Sequence, residues 1–281
     1  MIKNIHRPIN TIKKELNHNV TLPFDMIKGN AEKKRQIVSE FNTKIYDAIM
    51  ETNPKDIIKF RTIKDAISKV LPEKKRIEIQ RQAKRFKEIS DGGSDFIYDV
   101  NENIVGQTLE LPTKGKNFEL KNIATLMHEL THIFDNFVNP KYIKRTNEMN
   151  KYNLFSDDFM NLYRDKLYHL EFFQSEAEKQ QILKERRNDI ITFLQGKPTK
   201  DKITTIQHAK NFLESERNAY TEQLKFAKKL QKTGREIDKE DLIELTVPYL
   251  FNEKINMLKE IGIDIIQKIR HSTVRKSKAS L

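Results

Sequence analysis

Two histidines stand four residues apart in the stretch IATLMHELTHIFDNF, residues 123 to 137, and a glutamate follows the first directly. Imidazole is a common neutral metal ligand. On a helix, side chains at i and i+4 lie one above the other, so His128 and His132 can converge on one ion. Glu129 is turned to the flank of that face, where it can take a proton from a metal-held water without being a ligand. Two ligands and a general base within five residues is the division of labour of a hydrolytic zinc site.

The same stretch divides cleanly on a helical wheel. Ile123, Met127, Leu130, Phe134 and Phe137 recur at helical spacing and predict a buried stripe. His128, His132 and Asp135 gather on the opposite side, with Thr125 near them. The chain has no cysteine, so any further ligand must be His, Asp or Glu. Six residues after His132 stands Val138, which excludes the third histidine of the metzincin pattern. A glutamate on a later helix is then expected. Between residues 206 and 231, Ala209, Leu213, Tyr220, Leu224 and Ala227 mark an inward face, and Glu216 falls in its middle. A carboxylate there is costly unless a cation meets it, which makes Glu216 the candidate third ligand; a buried salt bridge is its alternative role. Glu214 shares a face with Lys210, Arg217, Thr221 and Lys225 and reads as solvated. Glu176, after Phe172 and Phe173, is the other candidate ligand.

With HELTH followed by ESERNAY, the chain resembles the gluzincin metalloproteases, which carry H-E-x-x-H and then E-x-x-A on a downstream helix. Within them it is most similar to the catalytic domain of anthrax lethal factor and related bacterial toxin or effector proteases. Their H-E-x-x-H-x-x-D run is matched by His128, Glu129, His132 and Asp135, and their E-x-x-A element by Glu216 and Ala219. The resemblance implies a zinc endopeptidase with Zn2+ on His128, His132 and Glu216 and with Glu129 as base. It covers residues 95 to 137 and 206 to 224. The long interval between the two motifs implies inserted helices. Thermolysin-like enzymes place an aspartate four residues after the ligand glutamate, but here that position is Tyr220, so Asp135 is the candidate carboxylate for steadying a ligand. Tyr220 lies one turn after Glu216 and is a candidate hydroxyl donor to a developing oxyanion, against the alternative of a packed core tyrosine. His208 and His169 read as structural.

What must hold these residues in place is mostly helix. Glycine and proline number eight each in 281 residues, too few for an all-β chain of that length. Apolar spacing predicts a helix from Ala31 to about Met50, and a second after Pro54 carrying Phe60, Ile63, Ile67 and Val70, with Pro72 as its end. A basic third helix is expected to carry Ile79, Ala83 and Phe86, with a stop at SDGGSD. DFIYDV and IVGQTLEL, joined by NEN, read as a hairpin, and Asn117 as the cap of the helix that holds the histidines. GQTLELP, residues 106 to 112, is the expected edge strand for an extended substrate. Helices are expected near 156 to 170, 171 to 195, 203 to 232 and 239 to 270. The fold class expected is mainly α with a small β-sheet. Residues 1 to 94 would form a helical N-terminal region, and residues 95 to 281 a zincin-like catalytic region with a helical insertion at about 140 to 200.

The net charge of +12 suits anionic partners, but the lysines are spread over most helices, which favours a solvated surface over a nucleic-acid site. Only EKKRIEIQRQAKRFK and the tail RHSTVRKSKASL are locally basic. No apolar run is long enough to span a membrane, and the N-terminal residues show no signal-peptide core, so synthesis in the cytoplasm is expected. The resemblance implies delivery into a host cell and a host protein as substrate. The alternatives are a housekeeping cytoplasmic metallopeptidase and a basic helical nucleic-acid-binding module.

Overall fold

The computed structural model describes residues 30–70, 77–81, 93–98, 100, 104–111, 116–139, 175–235 and 247–279. The first apolar stripe lies on helix α1 (Ala31–Met50), where Val38, Ile45 and Ile49 are buried. Asn30 opens this helix by accepting from the Lys33 N–H at 2.9 Å, which satisfies a donor left unpaired at the helix start. Phe60, Ile63 and Ile67 are buried on α2 (Phe60–Val70), as their spacing predicts. A short strand, β1 (Ile57–Lys59), precedes α2 and pairs antiparallel with β5 (Asn117–Glu119). Asn117 is therefore not a helix cap. Phe118 is wholly buried opposite Ile58 and holds the backbone extended, so the chain turns through a 3-10 segment (Leu120–Asn122) before helix α3 (Ile123–Val138) begins.

A second sheet contains β2 (Ile77–Arg81), β3 (Gly93–Tyr98) and β4 (Ile104–Leu111), in the order β2-β4-β3. The expected hairpin is present, since β3 and β4 pair antiparallel. Two expectations fail in this sheet. Residues 77–81 form a strand rather than a helix, because Ile77 and Ile79 alternate with Glu78 and Gln80 and the segment pairs in parallel with β4 over its whole length. And β4 is the central strand. Its backbone groups are spent on β2 and β3, so residues 106–111 offer no free edge to a substrate.

From residue 175 onward the described residues are largely helical, as expected there: α4 (Glu176–Leu194), α5 (Thr199–Gln231) and α6 (Val247–Ala279). Gly196, at φ +77°, supplies the left-handed turn between α4 and α5. The fold is mainly α with small sheets, as the composition predicts. The turn NEN, the stop at Pro72, Ala83 and Phe86, and the helix at 156 to 170 lie outside the described residues.

Two hydrophobic clusters organise the packing. The first draws on α1, α2, α3, both sheets and the end of α5 through Phe226 and Leu230, so part of the expected N-terminal region shares a core with the histidine helix. The second joins Ile190 and Leu194 of α4 to Ile206, Ala209 and Leu213 of α5 and to Phe251, Ile255 and Leu258 of α6. Helix α5 thus belongs to both clusters, and its middle lies between them.

Candidate metal centre

All five stripe residues of α3 are buried, and so is most of the opposite face. His128 is 8 % exposed and Asp135 1 %, because the middle of α5 lies across them. Two bonds fix the register of the helices. His132 Nδ1 meets Ser215 Oγ at 2.9 Å, and Asn218 Nδ2 donates to Asp135 Oδ2 at 3.0 Å. Toward the start of α3 the partners lie further along α5: where His132 meets Ser215, His128 meets Tyr220 and Gln223. From the other side, Asn42 of α1 donates to Thr131 Oγ1 at 2.8 Å. Buried Gln107 of β4 donates to the Ile133 carbonyl at 3.1 Å and accepts from Asn136 at 2.8 Å. Helix α3 is therefore held by hydrogen bonds from α1, from the sheet and from α5.

This arrangement aims three ligand atoms at one point. His128 Nε2 and His132 Nε2 are 3.1 Å apart; Glu216 Oε1 is 3.5 Å from His132 Nε2, and Glu216 Oε2 is 3.7 Å from His128 Nε2. Among the described residues, His128, His132 and Glu216 form the group that could hold a metal ion. The donor triangle suits a small ion. Tetrahedral bonds of about 2.05 Å separate neighbouring ligand atoms by about 3.3 Å; the two imidazole nitrogens lie close to that spacing, and each meets a different oxygen of the Glu216 carboxylate.

Electrostatics favours the ligand state of His128. Burial pushes the pKa of His128 well below its ordinary value, the neighbouring His132 adds to the shift, and Gln223 alongside opposes it. His128 is thus neutral and offers a lone pair. The Ser215 hydroxyl on Nδ1 of His132 leaves the Nε2 of that ring turned toward the centre. Two imidazole nitrogens and a carboxylate facing one another within 3.7 Å call for a cation or a proton between them.

Of the residues singled out in the sequence, His128, His132 and Glu216 come together. Glu129 is half-buried on α3, next to His128 in the chain. Tyr220 packs its ring edge-on to His128 at 4.6 Å between centroids and stacks on Phe251 at 5.7 Å, so it stands beside the site. Burial raises the Asp135 pKa to about 6, which Asn218, His132, Arg35 and Arg217 counteract. Asp135 is close enough to feel His132, but the hydrogen bond on the His132 ring belongs to Ser215. Glu214 lies 3.9 Å from Lys210, on the flank expected of it. His208 is buried on α5. Glu176 opens α4, and His169 lies outside the described residues.

Ser215, Asn218 and Gln223 are the residues that sequence reasoning missed. All three are polar residues within two turns of Glu216, but so are Glu214, Arg217, Thr221 and Glu222, and nothing in the sequence sets the three apart. The chain matches no family model, no curated protein and no solved structure with which it was compared.

Proposed function

We propose that this chain is a zinc-dependent endopeptidase that cleaves a protein substrate through an activated water. The observation that carries the reading is the convergence of His128 Nε2, His132 Nε2 and a Glu216 carboxylate oxygen within 4.8 Å of one another, with Glu129 in the next position of the chain. Two imidazoles and one carboxylate, with no thiolate, form a donor set that suits zinc with one open position. A zinc ion there would supply acidification of a water and polarisation of a carbonyl.

The chain's own residues account for the rest. Ser215 sets the His132 tautomer so that Nε2 faces the ion. Burial keeps His128 unprotonated. Glu129 takes a proton from the attacking water and passes it to the leaving amine. Tyr220, beside the His128 ring, offers its hydroxyl to the oxyanion. The likeness to lethal factor-type proteases is the ground for assigning a host-cell protein as substrate.

The test joins metal analysis to proteolysis. One zinc per chain is expected, with cleavage of a discrete protein in a eukaryotic lysate and none by Glu129→Ala, which keeps its zinc. Cleavage confined to bacterial lysates would select a housekeeping peptidase. Iron in place of zinc, or undiminished cleavage by Glu129→Ala, would overturn the reading. Strongly salt-dependent nucleic-acid binding without stoichiometric metal would point instead to a basic binding module.

A further inference from the structure

Far from the histidines in the chain, α4 and α6 meet along a stripe that is apolar except at two positions. Arg186 stands one turn before Ile190 on α4, and Lys254 stands among Phe251, Ile255 and Leu258 on α6. Arg186 is 7 % exposed and Lys254 5 %, as buried as the leucines and isoleucines around them. Arg187, next in the chain, reaches across to Glu260 at 3.2 Å and Asp264 at 2.8 Å. That outer arginine ties the two helices side by side, and its charge is fully met.

The inner pair has no such balance. Arg186 Nη1 donates to Asp189 Oδ2 of its own helix at 2.9 Å, while Nε and Nη2 are buried and make no hydrogen bond. Those two atoms form the side-on edge of a guanidinium, the edge that takes two oxygens of one oxyanion in parallel. Lys254 has no carboxylate partner among the described residues, and the charge it feels is that of Arg186. Burial pushes its pKa down to about 7, and Arg186 adds to the shift. Arg186 thus has one partly exposed carboxylate, Asp189, on one of its nitrogens, and Lys254 has none among the described residues; the acid next to Lys254 in the chain is Glu253, whose Oε2 is also buried. An unmet charge in such a place is strongly unfavourable.

We propose that Arg186 and Lys254 hold a small inorganic oxyanion of the phosphate class between α4 and α6. The Nε–Nη2 edge of Arg186 takes two of its oxygens, and Lys254 Nζ takes a third. The tetrahedral anion supplies the acceptors that the Nε–Nη2 edge of Arg186 lacks, and it clamps α4 onto α6. The residues of this site are not those of the metal-capable group, although Phe251, three positions before Lys254, stacks on Tyr220.

Thermal unfolding of the full chain, titrated with inorganic phosphate at pH 6.5 and constant ionic strength, tests the assignment. Wild type is expected to show a saturable rise in Tm of several degrees. Lys254→Met and Arg186→Gln are expected to lose that rise, and Lys44→Met, at an exposed position on α1, to keep it. Lys254→Met places an apolar chain of similar length in an apolar stripe, so it folds at least as well as wild type without phosphate. A wild-type Tm no higher in phosphate than in matched chloride would overturn the proposal. So would Lys254→Met retaining the full rise, or Lys44→Met losing as much of it.

Discussion

Ser215 Oγ lies 2.9 Å from His132 Nδ1 and directly precedes Glu216, so one turn of α5 both completes the metal-capable group and orients one of its members. The partner of a ligand imidazole fixes its tautomer and its basicity. Ser215→Ala should leave the fold intact and weaken zinc binding roughly 10- to 100-fold. Ser215→Thr, which keeps the hydroxyl, should recover most of that loss. Competition with a chromophoric chelator measures both, and an unchanged affinity in Ser215→Ala would remove the serine from the site.

Stability should follow the metal. In the folded chain His128, His132 and Glu216 are already brought together, whereas in the unfolded chain Glu216 is remote from both histidines. Zinc at a hundredfold excess over its Kd should add about 2.7 kcal/mol, and a chelator should remove it. His132→Ala should abolish the dependence on added zinc. A Tm that ignores zinc in wild type would contradict the expectation.

Tyr220 packs on both His128 and Phe251 through its ring. Tyr220→Phe keeps those contacts, so Tm should hold within about 1 °C on the scale of a neutral substitution. Loss of an oxyanion donor typically lowers kcat by about 10²-fold, with little change in KM. Steady-state kinetics on a cleavable peptide separates this outcome from a purely packing role, in which kcat would not move.

Lys254 gives a pH dependence whose sign is fixed. Its pKa falls from an ordinary 10.5 to about 7 in the fold. Between those values the unfolded chain binds the extra proton, so stability rises with pH across that window, and the penalty is fully present below the lower value. The contribution should be about 2–3 kcal/mol between pH 7 and pH 9 in phosphate-free buffer. Lys254→Met should flatten it. Urea unfolding at both pH values decides, and parallel pH slopes for wild type and variant would contradict the burial of an unmet ammonium.

The local parts of the site were legible in the sequence because their geometry is local. His128 and His132 are neighbours by helical spacing alone, and Glu216 betrays itself as an acid on an apolar stripe. Ser215 and Asn218 were not legible, since nothing near them in the chain indicates that each meets a side chain 83 residues away. The same limit explains the sheets. The β3–β4 hairpin is read from adjacent segments, but β1 and β5 are three-residue strands that exist only through each other. Residues 77–81 become a strand because β4 is there to pair with them, and that pairing also deprives β4 of its free edge.

Helix α5 is anchored by Leu213 in one cluster and by Phe226 in the other, and everything it gives the histidines lies between those anchors. Ser215, Glu216 and Asn218 therefore move as a single shaft. A slip of one residue along the axis, about 1.5 Å with a rotation of about 100°, would withdraw all three together. The metal-capable group would for that reason form or come apart as a unit, and a molecule that clamps or unscrews this shaft would act as an on–off key without touching the histidines.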